Sequence, residues 1–291
     1  MGKSTLVAAA ALQAASVGQR PLIVELGHRA TMAGIFGRGD IGYAPVSVGN
    51  GVSACNIEPG PALEAYASRQ LRMKGLSRVL TRSDALQRLL DAAPGVVEVL
   101  TLNTFRELAL GDRFDPVLVD LDATGHALML LSLPQVLDEL VGPGRFRRAL
   151  FSSVDLLEDP AWTRLHLVTV PEPMVVNETL ELIDRLRSEH GVPLGALIVN
   201  RVPAPPLSAA TGRAIPALSR FAGAERDEGL SDDIALAERQ LQLHEVTMAE
   251  IRRARTHAGL GVIELPRSPD ISLEGLTELG ARLFEQMRAL S

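Results

Sequence analysis

Five short apolar runs recur along this chain, at residues 21–26, 115–120, 165–170, 194–200 and 260–265, with sequence of helical character between them. Runs of roughly four to eight apolar residues bounded by turn signals have the length of buried strands. Strands separated by helices pair through crossovers rather than hairpins, so the alternation predicts an α/β fold built on a doubly wound, mostly parallel sheet. Helices are expected at about 3–17, 127–140, 175–189, 232–257 and 273–290. Residues 27–60 are rich in glycine without a clear period and are expected to be mostly loop. Helical signal dominates from about 60 to 112, broken near Pro94-Gly95, and is expected to form a helical subregion within a single domain of residues 1–291. Residues 203–216 hold four prolines and are expected to be a surface loop or a broken helix.

Composition narrows the class. The chain of 291 residues has 35 acidic and 29 basic side chains and a formal charge of −6. At 46% apolar and 22% charged it can bury a full core. An acidic chain with scattered arginines lacks the basic footprint of a nucleic-acid binder. Cys55 is the only cysteine, which excludes an internal disulfide or a multi-cysteine zinc site within one chain. No apolar run has the length of a membrane span, so no integral membrane segment is expected.

The N-terminal residues admit two readings. Lys3, the apolar stretch to Leu12 and the alanines after it imitate a secretory leader. Gly2-Lys3-Ser4-Thr5 ahead of an Ala/Leu helix is also how a phosphate-binding loop enters its helix. In such a loop backbone N–H groups cradle phosphate, the lysine neutralises the β and γ groups, and the next hydroxyl binds magnesium. The second reading is preferred and places the protein in the cytoplasm. Asp120 supports it, because a carboxylate at the end of an apolar strand is where a nucleotide-bound magnesium is held. A doubly wound sheet also needs a strand just before its phosphate loop. The expectation is therefore that an upstream extension of roughly 10–20 residues supplies that strand and the missing loop glycines. Some five buried apolar side chains, at about 1.5–3 kcal/mol each, would otherwise be lost.

Beyond Asp120 the wording becomes specific. Asp120-Leu121-Asp122-Ala123-Thr124-Gly125-His126, running on to Leu130-Leu131-Ser132-Leu133-Pro134, resembles the second switch of the anion-transporting ATPase family, usually D-T-A-P-T-G-H followed by L-L-x-L-P. That family includes the arsenite-pump ATPases and the ATPases that target tail-anchored proteins. Glu25-Leu26-Gly27-His28 sits where the family has D-P-A-H. Thr169-Val170-Pro171-Glu172-Pro173, with Glu178-Thr179, resembles its T-x-P-E-P segment and E-T helix. Val199-Asn200-Arg201-Val202 resembles its V-N-R strand end, and Leu265-Pro266 its adenine-side loop.

The resemblance implies ATP and Mg2+ as cofactors. Gly2, Lys3, Ser4 and Thr5 would hold the phosphates, Ser4 and Asp120 the metal, Gly125 and His126 the γ-phosphate side, and Asn200, Arg201 and Pro266 the adenine. It further implies a homodimer, or a heterodimer with a paralogous ATPase, closing around nucleotide and acting on a cargo or membrane partner. Two departures bear on turnover. The family's water-orienting aspartate falls seven residues after Glu25, at Met32, whose thioether cannot hold a water strongly. Asp122 stands where the family has alanine and is the candidate catalytic carboxylate beside Lys3. The two functions in contention are thus an ATPase and a hydrolysis-impaired nucleotide-binding subunit paired with an active paralogue. The zinc-holding C-x-x-C pair and the long helical insert of the targeting ATPases are absent from this sequence.

Overall fold

The computed structural model describes residues 1–26, 31–58, 60–65, 96–121, 145–189, 191–225, 228–268 and 270–290. The described chain resolves into two compact units. One comprises residues 2–165, 185–194 and 270–291; the other comprises Met1 with residues 166–184 and 195–269. Both are α/β, and their strands are mostly parallel, as the alternation predicts.

The first unit carries a four-stranded sheet in the order β2-β3-β1-β4, formed by β1 (Leu22–Leu26), β2 (Val46–Gly49), β3 (Val52–Ile57) and β4 (Val117–Asp120). β1 is flanked by β3 and β4, both parallel to it. Its Leu22, Ile23 and Val24 are fully buried, each worth about 1.5–3 kcal/mol of apolar burial. Leu22 and Val24 face a cluster with Cys55, Ile57, Phe105, Phe114 and Val154. That cluster is covered by α3 (Val96–Leu110) and α4 (Arg145–Glu158), which pack on each other. The opposite face is covered by α1 (Lys3–Ser16), which lies against β1, β3 and β4.

The alanines of α1 let α8 (Leu273–Leu290) approach closely, and a Cβ at Gly280 of α8 would overlap the Ala9 carbonyl. Small residues on both helices are what allows this contact; a helix buried on several sides need not be amphipathic.

The sequence expectations are refined here. The described part of residues 27–60 is not loop alone: besides the short α2 (Thr31–Ile35) it holds the antiparallel β2–β3 hairpin. Its turn, Asn50-Gly51, has positive φ at both residues (50° and 75°), the geometry for which Asn-Gly is the strongest short hairpin signal. The segment containing α4 was assigned no helix from sequence. In contrast, the expected strand before Asp120 and helix 3–17 are found within a few residues. The helix expected at 127–140 and the break at Pro94-Gly95 lie outside the described residues.

The second unit holds a three-stranded sheet, β5-β6-β7, from β5 (Leu165–Thr169), β6 (Leu194–Val202) and β7 (Val262–Pro266). α5 (Pro173–Glu189) follows β5. Between β6 and β7 runs a helical hairpin, α6 (Ala209–Glu225) and α7 (Glu228–His257), packed through Ile215, Ala222 and Ile234. The proline-rich stretch is therefore partly helical, with Pro216 inside α6. Among the described residues the strands pair into two ladders. β4 and β5 are each terminal strands, because the described residues contain no strand that pairs along the other side of either. No helix among the described residues is long and apolar enough to cross a membrane.

Candidate functional site

The direction of α1 locates the first unit's site. α1 has 14 residues and so spans about 21 Å, and a tight turn leads from its end into β1, so helix and strand run in opposite senses. Its C-terminal end lies over the start of β3, where a Cβ at Gly51 would come 3.2 Å from Ala15 Cβ. Its N-terminus therefore lies at the opposite end of the sheet, at the C-terminal ends of the parallel strands. This is where open α/β sheets take ligands. Gly2 occupies the cap in a left-handed conformation (φ 87°, ψ 28°), and no side chain caps the helix. Gly2, Lys3, Ser4 and Thr5 thus present the donor end of a helix whose first N–H groups have no intrahelical acceptor.

Beneath that end runs a row of polar side chains. Glu25 of β1 is in register with Asn56 of β3 on one side and Asp120 of β4 on the other. Because Leu22, Val24, Cys55 and Ile57 face the apolar cluster, strand alternation puts Glu25, Asn56 and Asp120 on the α1 face. All three are buried, at 3%, 5% and 9% exposure, yet Glu25 Oε2 and Asn56 Oδ1 have no hydrogen-bond partner. Glu25 Oε1 accepts the Met32 N–H at 3.0 Å. Burial pushes the Glu25 carboxyl above its ordinary pKa; the Met32 N–H pulls it back, the Asp120 charge raises it, and the Thr31 N–H lowers it. On the other face, burial and the Glu25 charge push the Cys55 thiol up to about 12, so this free cysteine is an inert core residue.

Of this row the sequence marks Asp120 as a metal-holding carboxylate and Glu25 only as a first-switch position, and it gives no sign of Asn56. Glu25 was legible: Leu22-Ile23-Val24-Glu25 is an apolar strand closed by a carboxylate, the same pattern as Val117-Leu118-Val119-Asp120. Asn56 was hidden in the stretch read as loop. Met32 is fully buried, so its thioether is part of the core. Asp122, Gly125 and His126 lie outside the described residues.

In the second unit, Asn200, Arg201 and Pro266 gather at the end of β6 and β7. Val202 is in register with Pro266, and Arg267 N–H donates to the Val202 carbonyl at 2.9 Å. A register shift after Val199 and a positive φ of 59° at Arg201 turn the strand there. Both ends of the Asn200 amide are engaged: Nδ2 donates to the Met1 carbonyl at 2.9 Å, and Oδ1 accepts the Arg201 N–H at 2.9 Å. A shallow cavity of about 350 Å³ lined by Leu12, Ala15, Asn50 and Thr277 lies at the far end of α1, away from this chemistry.

Comparison with known proteins agrees with the wording of the switches. The profile of the anion-transporting ATPase family matches residues 1–151. ATPase BagA of Mycobacterium tuberculosis is 30% identical over 211 residues, covering 69% of this chain and 62% of that protein. The arsenical pump-driving ATPase of Escherichia coli is 28% identical over 225 residues, covering 69% of this chain and 38% of that protein. The corresponding ATPase of Acidiphilium multivorum is 27% identical, with the same shares. The chain therefore spans less than two thirds of these relatives' lengths. With more than half of its own length matched by the profile, the chain belongs to the anion-transporting ATPase family.

Proposed function

We propose that this protein binds Mg-ATP and hydrolyses it, with the phosphates on the N-terminus of α1. The observation that carries this reading is the juxtaposition of an uncapped helix donor end with a buried Glu25–Asp120 carboxyl pair. In the proposal the Gly2–Thr5 backbone and Lys3 hold the phosphates, and Ser4 with Asp120 holds the magnesium. The chemistry of the donor set fits such an ion: a hydroxyl and a carboxylate oxygen, with Glu25 Oε2 buried and without a partner on the neighbouring strand as a further cation-facing oxygen. The bound ion would neutralise charge developing on the transferred phosphoryl group. The chain's own contribution is positional. Lys3 on the first turn of α1 fixes the phosphates, and the strand ends fix the carboxylates, so little reorganisation is needed as charge builds. Asn200, Arg201 and Pro266 would read the adenine, after Asn200 exchanges its Met1 and Arg201 partners for the base. Asp122, Gly125 and His126 would face the γ-phosphate. Closure of a homodimer or of a heterodimer with a paralogue would couple the cycle to a cargo or membrane partner in the cytoplasm.

A hydrolysis-impaired nucleotide-binding subunit is the second reading, favoured by one observation: Met32 is sealed in the core and supplies no group that orients water. Single-turnover hydrolysis separates the two. Mg-dependent release of phosphate by the wild type, reduced at least ~100-fold in Lys3→Ala, is the expected result. Nucleotide binding with no turnover in the wild type would replace the ATPase reading by the second.

A further inference from the structure

Two oxygens at the strand ends are left over by the phosphate-loop chemistry. Glu25 Oε2 and Asn56 Oδ1 are both sealed from water and both without a partner, on residues in register across β1 and β3. A buried acceptor left unsatisfied costs about 1–3 kcal/mol. With Glu25 ionised, its carboxylate oxygen and the amide oxygen cannot relieve each other, since neither carries a hydrogen. Asn56 cannot withdraw to solvent either. β3 is an interior strand between β2 and β1, and the Asn56 N–H is tied to the Gly42 carbonyl at 2.9 Å. A divalent cation, or a water bound to it, satisfies two neighbouring hard oxygens together, and the Asp120 carboxylate in the same row favours a cation over a lone water.

We propose that Asn56 belongs to the divalent-cation site, its Oδ1 serving beside Glu25 Oε2 as a neutral oxygen donor, direct or through a cation-bound water. The residue type suits the position. Glu25 already feels the Asp120 charge, and a third carboxylate in the row would add repulsion to the cation-free state. An amide contributes an oxygen without that charge. This inference rests on the reading of Glu25 and Asp120 as cation-facing groups, and its test separates failure of the two.

Mn2+ serves as the probe, its free fraction followed by electron paramagnetic resonance with the full chain, with and without ATP. Asn56→Ala is expected to weaken Mn2+ binding 10–100-fold, the range for groups that orient a metal's ligands. Asn56→Asp is expected to restore it. Binding of a fluorescent ATP analogue in EDTA should be the same for all three proteins. Asn56→Val provides a second variant that keeps a good strand former. It should lose Mn2+ to the same extent while unfolding at a higher temperature than the wild type without metal, since it removes an orphaned acceptor. Mn2+ titrations of Asn56→Ala and Asn56→Val that match the wild type, alongside a loss in Glu25→Gln, would overturn the role of Asn56 alone. A wild type that holds no Mn2+ and is indifferent to Glu25→Gln would overturn both readings.

Discussion

At the ends of β1 and β3, Glu25 and Asn56 keep buried oxygens without partners, whereas on β5 and β6 polar side chains find partners within the chain. Thr169 accepts the Thr179 hydroxyl at 2.9 Å, His166 Nδ1 accepts the Ala196 N–H at 3.1 Å, and Asn200 uses both ends of its amide. The strands differ in length and burial, β6 having nine residues and β1 five, yet Glu25, Asn56, Thr169 and Asn200 are all buried, so burial alone does not set the contrast. A buried polar group is normally satisfied. Two stay open in the first sheet, while in the second Glu264 Oε1 is held by the Arg255 guanidinium at 2.8 Å; a ligand at the first sheet, as proposed above, would complete its hydrogen-bond and charge balance.

The sharpest way to break the contrast is to disturb what holds the donor end of α1 over the open row. At Gly280 a Cβ would overlap the Ala9 carbonyl and lie 2.9 Å from Gln13 Cβ, so rigid helix backbone must move. Gly280→Val is expected to cost about 3 kcal/mol, the upper end for overpacking, seen as a lower denaturant midpoint, and to weaken nucleotide binding with it. The comparable crowding in the second unit is at Gly195, where a Cβ would meet the His166 ring at 2.5 Å. A ring can rotate away, so Gly195→Ala should cost less, about 1 kcal/mol. Equal losses would show that the approach of α8 to α1 is not specially tight.

A smaller effect tests the closed side. Asn200→Ala leaves the Met1 carbonyl and the Arg201 N–H without their partner, and should destabilise by about 1–2 kcal/mol. The same chemical class of change at the open side, Asn56→Val, should stabilise. Opposite signs in paired thermal melts are the expected outcome. Two losses of similar size would mean that Asn56 is satisfied in solution, and that the two strand-end sets do not differ.

What could be read beforehand follows the same division. β1, β4, β5, β6 and β7 were legible because each is a run of apolar residues long enough to be a strand and too short to be a helix. Asp120 stood out because a carboxylate ends such a run. The β2–β3 hairpin was not, since period-two patterning in Val46-Ser47-Val48 and Val52-Ser53-Ala54 is short and interrupted by glycine. The Asn50-Gly51 turn was the signal that would have found it. Asn56 was lost with that hairpin, because a polar residue acquires meaning only once its strand and register are known. The single sheet expected from the alternation depends on pairing between distant segments. Among the described residues the ladder stops at β4 and begins again at β5, something no local pattern encodes. That Met32 is a core residue likewise depends on tertiary burial, not on its spacing from Glu25.

The smallest expected effect is also the most diagnostic, because its size changes with pH and its sign with metal. Glu25 has a pKa above its ordinary value of 4.5, chiefly because burial penalises its charged form. The folded state therefore binds a proton more readily than the unfolded chain. The resulting stabilisation is fully present below pH 4.5 and is lost as pH rises through the elevated native value. Glu25→Gln does not titrate. Its side-chain oxygen can still accept the Met32 N–H, and its amide can donate to the neighbouring acceptors of Asn56 and Asp120. Without metal, the variant should match the wild type near pH 4.5 and exceed it by about 1 kcal/mol at neutral pH, with the gap opening between. Mn2+ should reverse the order at neutral pH, since it stabilises only the protein that binds it. A pH-independent difference, or one of the opposite slope, would mean that Glu25 is solvated in the folded protein, and the open side of the comparison would lose its central member.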